Sequence, residues 1–300
     1  MILRDNTEWR TLALIAACYG LWLMVLLWLS WTVPWLAALL LVPLLTLHSS
    51  LQHECIHGHP FTRRWLNDLI IALPIGALIP YLRFKDVHLQ HHQNASICDP
   101  YDDPESWYLS QDFWHRLPRV VKLVFQANNT LVGRMLLGPA ISLIRLGISD
   151  GRAILAGDRR IQLAWAIHGI LVCGILFAVS RWSGFGVLVY LACCYGGMSL
   201  LMIRTYLEHQ AEESFGGRSV IIDDKGPLSL LFLNNNLHAV HHAYPAVAWH
   251  QLPSLYQRNR DRFIAMNKGY GFTSYAEILR RFAFHRKEPV AYPLTAKKRR

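Results

Sequence analysis

Residues 12–31 read Leu-Ala-Leu-Ile-Ala-Ala-Cys-Tyr-Gly-Leu-Trp-Leu-Met-Val-Leu-Leu-Trp-Leu-Ser-Trp, with no charged side chain. At ~1.5 Å per helical residue such a run spans a hydrocarbon core of ~30 Å, so a transmembrane helix is expected here. The break Thr32-Val33-Pro34 and a second apolar run, 34–51, turn the chain back as a hairpin, with Trp31 and Trp35 as interface anchors. The opening residues Arg4, Asp5 and Glu8, the length of the run and the lack of a small-residue cleavage site describe a retained span, not a signal peptide.

A second hairpin follows downstream. Residues 161–180 and 184–203 are apolar, and Arg181-Trp182-Ser183 between them leaves room only for a tight turn. Between the hairpins, 65–82 is apolar but holds Pro74, Gly76 and Pro80 and is flanked by Arg63, Arg64, Arg83 and Lys85. A full crossing would separate the histidine clusters on either side of it, so an interfacial or re-entrant segment is expected. Residues 93–111 are polar and acidic, a loop. Residues 118–150 mix apolar groups with Arg119, Lys122, Arg134 and Arg145, as in helices lying along a membrane surface, where they can border a lipid route.

The expected fold is therefore an all-α integral membrane protein. Four transmembrane helices in two hairpins, with interfacial helices and a histidine-rich cap, form a single membrane domain over 1–300. Composition agrees: 53% hydrophobic residues, 17% charged and 11 Trp. The net charge of +10 is dispersed among apolar runs with no nucleic-acid-binding pattern, so contact with anionic headgroups explains it better than nucleic acid does. Of the two outer turns only the second carries a basic residue, Arg181, whereas the segment between the hairpins and the C-terminal segment hold most of the Lys and Arg, so these larger segments and both termini are expected on the cytoplasmic side. The tail Lys297-Lys298-Arg299-Arg300 suits headgroup contact and also fits a dilysine retrieval signal. The six cysteines form no C-x-x-C pair, so neither an iron–sulfur site nor a disulfide framework is indicated.

Three histidine clusters fall at membrane ends on that same side: His53-Glu-Cys-Ile-His57, His88-Leu-Gln-His91-His92 and His238-Ala-Val-His241-His242. Residues i, i+3 and i+4 share a helix face, so each cluster can aim imidazoles at one point. Eight nitrogen ligands exceed the four that one tetrahedral zinc uses, which makes two metal ions the natural count. Imidazole suits iron, zinc, copper or nickel. A site at the membrane surface with little carboxylate suits redox chemistry on a lipid-like chain, for which iron with dioxygen is the fitting oxidant.

The set H-x-x-x-H, H-x-x-H-H and H-x-x-H-H among two hairpins resembles the membrane-bound fatty acid desaturase and hydroxylase superfamily over nearly the whole chain. Its most specific part is Asn236-Leu237-His238-Ala239-Val240-His241-His242-Ala243-Tyr244-Pro245. The resemblance implies a non-haem diiron centre that activates dioxygen to attack an unactivated C–H bond, ligated by His53, His57, His88, His91, His92, His238, His241 and His242. It implies a ninth ligand after the last span, for which His209 in Tyr206-Leu207-Glu208-His209-Gln210 is the candidate. Desaturation of a fatty acyl chain is the expected reaction, with hydroxylation, or carotenoid hydroxylation or ketolation, as alternatives.

The chain shows no H-P-G-G haem signature, dinucleotide fingerprint or cysteine cluster, so electrons are expected from a separate ferredoxin or haem protein with its reductase. A basic surface would suit an acidic donor.

Other residues keep open readings. His48 competes with His57 as partner of His53, while His59 beside Pro60 belongs to a turn. His115, His168, His250 and His285 lack partners at ligand spacing, although His168 lies mid-membrane. Asn235 and Asn236 can hold a water or a ligand ring, or simply open a helix. Asp99, Asp102, Asp103 and Glu105 can orient imidazoles through the second ring nitrogen or form a solvated acidic loop. Glu54 completes H-E-x-x-H, so an intramembrane zinc protease using His53, Glu54 and His57 is the alternative from another class. That reading leaves the other clusters unexplained, and a metal transporter would place its ligands at mid-membrane, where only His168 stands.

Overall fold

The structure is a computed structural model, and it describes residues 7–294; the basic tail and the residues Arg4 and Asp5 lie outside them. The fold is mainly helical, with one small sheet. Helix α1 covers Trp9–Thr32, with a π-helical stretch at Val25–Leu29, and α2 covers Pro34–Ile56. Pro34 opens α2 at a position where no intrahelical N–H is required. Short helices α3, Arg64–Ile71, and α4, Tyr81–His92, follow. Next come α5, Arg119–Asn128, α6, Leu131–Leu155, α7, Arg159–Trp182, and α8, Val187–Thr205. Asp158 caps α7 by accepting from the amides of Arg160 and Ile161.

Among the described residues, five helices are long and apolar enough to cross a membrane: α1, α2, α6, α7 and α8. The chain is thus a multi-pass membrane protein. Four of the five overlap the expected spans, and α6 is the addition. In the sequence 118–150 reads as surface helices, and α6 mixes apolar side chains with charged ones. The structure draws two of those charges inward: Arg134 is 2% exposed and Asp150 1%.

The chain divides into two compact units. The first holds the chain up to Lys85 together with Ala140–Leu200, the second Asp86–Pro139 together with the chain from Leu201 on. In the first unit the hairpins touch closely. The Ser30 hydroxyl accepts from the Gly184 amide at 2.8 Å, and a Cβ at Gly184 would stand 2.2 Å from the Ser30 carbonyl oxygen, so only glycine fits.

Within 65–82 the helix α3, eight residues long in all, ends at Ile71 and gives way to an irregular passage. Eight residues cover ~12 Å of helix, well short of a bilayer core. Its backbone is served by neighbouring helices: Tyr190 Oη donates to the Ile75 carbonyl at 2.6 Å and His168 Nε2 to that of Ala77 at 3.1 Å. Irregular backbone at membrane depth needs such partners, because lipid offers none. Arg83 bridges both carboxylate oxygens of Asp150 at 2.8 and 2.9 Å, and Trp165 Nε1 donates to the same group at 2.8 Å.

In the second unit, β1, Ile221–Ile222, and β2, Gly271–Phe272, pair in parallel, with Ile221 opposite Gly271. Around them lie α9, His238–Ala243, α10, Leu252–Arg258, α11, Arg260–Met266, and α12, Tyr275–Phe282. Ile221, Leu237, Ala239, Val240, Leu252, Tyr256 and Phe263 form its core beneath α9. That core fixes the orientation of a helix too short to be stable alone.

Candidate metal centre

Helix α4 ends in His88, His91 and His92, and α9 carries His238, His241 and His242. The approach to α9 is laced to the sheet. Ile222 N donates to the Asn236 carbonyl at 2.8 Å, Ala239 N to that of Val220 at 2.9 Å, and Asn236 Nδ2 to that of Ile222 at 2.7 Å. Just upstream, Leu233 and Asn234 adopt φ of 52° and 56°. Asn tolerates this region; a buried leucine there is strained, a feature that concentrates at functional sites. His209 follows α8 and forms an antiparallel bridge with Ser219.

Within this unit His91, His209, His238 and His242 converge, each offering a nitrogen within 4.8 Å of the others. The Nε2 atom of His209 lies 3.0 Å from that of His91 and 3.0 Å from that of His238, and the Nε2 atoms of His238 and His242 are also 3.0 Å apart. The ligand nitrogens of His88, His92 and His241 likewise fall within 4.8 Å of one another, and His92 Nε2 stands 3.2 Å from His241 Nε2. Metal–imidazole bonds of ~2.0–2.1 Å give polyhedron edges of about 2.9–3.4 Å, the spacing found here.

The outward ring nitrogens explain why the inward ones are lone pairs. His91 Nδ1 donates to Asp103 at 2.8 Å, His88 Nδ1 to Glu105 at 3.1 Å, and His238 Nδ1 to Asn235 Oδ1 at 3.0 Å; His209 Nδ1 stands 3.3 Å from the Ser219 hydroxyl. A carboxylate accepts only, so the proton of His91 and His88 resides on Nδ1 and Nε2 is free to coordinate. Converging lone pairs repel unless a cation sits among them, and the donor set therefore fits a metal. Asp103 is itself held by the amides of Cys98 at 2.8 Å and Glu105 at 3.0 Å.

The electrostatics agree. Burial, then neighbouring imidazoles, lower the pKa of His209, His238 and His242 well below the ordinary value, and that of His92 to about 2, so these rings are neutral. His91 is the exception: burial opposes charge on it, but Glu105 and Asp103 outweigh burial and raise its pKa to about 9, so a metal bound at Nε2 displaces a proton there. Burial disfavours the Glu105 carboxylate, yet the facing His88 and His91 hold its pKa well below the usual range.

In the first unit His53 and His57 pair at the end of α2, their ring centroids 4.7 Å apart. His48 instead meets the Tyr19 hydroxyl at 3.2 Å, and His59 pairs with Glu8 at 2.7 Å. The acidic loop divides: Asp103 and Glu105 orient imidazoles, whereas the Asp99 side chain closes a turn on the Tyr101 amide. Asn235 touches His238, and Asn236 ties the backbone. Sequence reasoning missed the Arg204–Glu208 pair, 2.9 Å apart, whose Glu208 also approaches His238 Nδ1 at 3.8 Å. Its signal was the i, i+4 spacing directly before His209.

Residues 29–274 match the fatty acid desaturase family. The chain is 27% identical over 172 residues to the Delta(12) fatty acid desaturase fat-2 of Caenorhabditis elegans, a match covering 54% of this chain and 44% of that protein, so the two align over less than half of the relative's length. A family match over most of the chain sets the zinc protease reading aside: this chain belongs to the fatty acid desaturase family.

Proposed function

We propose that the chain desaturates a fatty acyl or similar lipid chain at a diiron centre. In this reading His91, His209, His238 and His242 hold one ion, while His88, His92 and His241, completed by His53 and His57, hold the other. The observation that carries it is the convergence of His91, His209, His238 and His242, three of whose rings are fixed from behind by Asp103, Ser219 and Asn235. Bound there, iron supplies the activation of dioxygen that an unactivated C–H bond requires. The protein's own part is positional: Asp103 and Glu105 keep the ring protons on Nδ1, and Asn235 Nδ2, buried without a partner among the described residues, is available to hold a water.

Removing two hydrogens from the chain while reducing dioxygen to two waters leaves two electrons and two protons to come from outside. A separate electron-transfer protein, a ferredoxin or a haem protein with its reductase, fills that need.

One contact supports the four-span arrangement with all clusters on the cytoplasmic face. Tyr206, the residue after α8, donates its hydroxyl to the carbonyl of Asn129, just ahead of α6, at 2.8 Å. A chain that leaves a membrane face at Asn129 and regains it at Tyr206 crosses an even number of times. In this reading two of α6, α7 and α8 cross, and α6, with Arg145 and Arg152 exposed beside Ile144 and Ile148, is the one that lies along the surface. The two units then act as one desaturase-like domain.

Expression in a lipid-rich host with a working electron donor, followed by mass spectrometry of the lipids, tests the function. Loss of two hydrogens from an acyl chain is the expected product; gain of one oxygen atom would replace desaturation by hydroxylation. An unchanged lipid profile would overturn the proposal.

A further inference from the structure

We propose that the second unit carries a docking face for an anionic lipid surface, formed by α5 and the turn after α12. Along α5, Val120, Leu123, Val124 and Ala127 follow the i, i+3, i+4, i+7 rule. On a helix folded against its own protein that stripe is the buried one. Here it points outward, with Val120 72% exposed, Leu123 63% and Val124 40%.

The opposite side of the helix is occupied by the protein. Lys122 turns back over Trp114, 5.6 Å from the ring centre, and donates to the His115 carbonyl, while Phe125 and Asn128 border a cleft with Trp107, Arg134 and Glu288. The outward stripe is thus a consequence of how α5 is seated.

The apolar edge continues past the helix. Lys287 N donates to the Asn129 carbonyl at 3.2 Å and Val132 N to that of Ala283 at 3.0 Å, which sets residues 283–287 beside the end of α5. From that turn Phe284 stands out at 78% exposure, with Leu279 of α12 at 40%. Arg116, Arg119, Arg280, Arg281 and Arg286 are all exposed along the same segments. The nearest carboxylate on α12, Glu277, is turned onto the amide and hydroxyl of Thr273 at 2.8 and 2.7 Å.

Aliphatic and aromatic side chains among arginines fit the boundary of an anionic bilayer, where acyl chains take the former and headgroups the latter. An acidic protein would match the arginines but set its charges against the aliphatic stripe. Each arginine near such a surface strengthens the contact by about fivefold. This face lies outside the histidine groups, and its test does not depend on the reaction catalysed.

The full chain, with Cys173→Ser to remove an exposed thiol, is labelled with an environment-sensitive fluorophore at Leu123→Cys, Phe284→Cys or, as a control, the exposed Lys225→Cys. Each is reconstituted in vesicles of brominated phosphatidylcholine, with or without phosphatidylglycerol, after circular dichroism shows parental helix content. Bromine quenching at 123 and 284 but not at 225, deepened by phosphatidylglycerol and reduced by joint Arg280→Glu, Arg281→Glu and Arg286→Glu replacement, is expected. Quenching at 123 and 284 no greater than at 225 would overturn the docking face. Quenching indifferent to phosphatidylglycerol would overturn its anionic character.

Discussion

His91 donates its Nδ1 proton to Asp103 Oδ1 across 2.8 Å, and both side chains are 1% exposed. The bond fixes the tautomer, turning the Nε2 lone pair toward the Nε2 of His209. Asp103→Asn keeps the shape but offers an amide that can present either end to the ring. Such outer partners commonly carry ~10–100-fold in metal affinity or activity. We expect a loss of that order in metal affinity, measured by competition with a chelator, with little change in helix content; affinity equal to the parent's would show that Asp103 does not orient the ligand.

The two histidine groups are expected to titrate separately with metal. His242→Ala removes a ligand from the group of His91, His209 and His238, and His241→Ala one from the group of His88 and His92. Each should leave the purified protein with one fewer iron per chain, whereas His250→Ala, set edge-on to Trp249 and belonging to neither group, should retain the full content. Elemental analysis reads the outcome. Full iron in both ligand variants would rule out two separate centres built on these residues.

The histidine clusters were legible in sequence because metal ligation repeats short spacings on helices. Their orienting partners were only half legible. Asp103, Asp99 and Glu105 lie in one acidic run, and only the loop's folding decides that Asp103 and Glu105 meet imidazoles while Asp99 closes a turn. Apolar length found the hairpins to within a few residues, but how α6 is anchored was not legible, because its charges look solvated until Arg134 is seen lying 3.6 Å over Trp107 and Asp150 clasped by Arg83. Charge pairing between segments distant in sequence leaves no periodic trace.

The bond between Tyr206 and Asn129 makes sidedness measurable. Single cysteines at Gln111, Leu155 and Glu213, all exposed, precede α6, end it and follow α8. In sealed, oriented vesicles an impermeant thiol reagent should reach all three from one face, and a cysteine at Trp182, the last residue of α7 before the turn to α8, from the other. Labelling of position 155 from the Trp182 side would mean that α6 crosses the membrane.

The final prediction concerns the buried ion pair. Asp150 is nearly inaccessible, receives two bonds from Arg83 and one from Trp165, and sits in a helix otherwise apolar enough for a span. Replacing it by alanine strands a guanidinium that is itself only 12% exposed and leaves the indole N–H without its acceptor. Removing one partner of a buried pair costs about 3–5 kcal/mol, more than the pair contributes over an apolar substitute, because the remaining charge stays desolvated. Asp150→Ala should therefore lower thermal stability in detergent markedly. Joint Arg83→Met and Asp150→Leu replacement should recover much of the loss, since no uncompensated charge remains. A double variant as unstable as Asp150→Ala would locate the role of Asp150 in its bond to Trp165 instead.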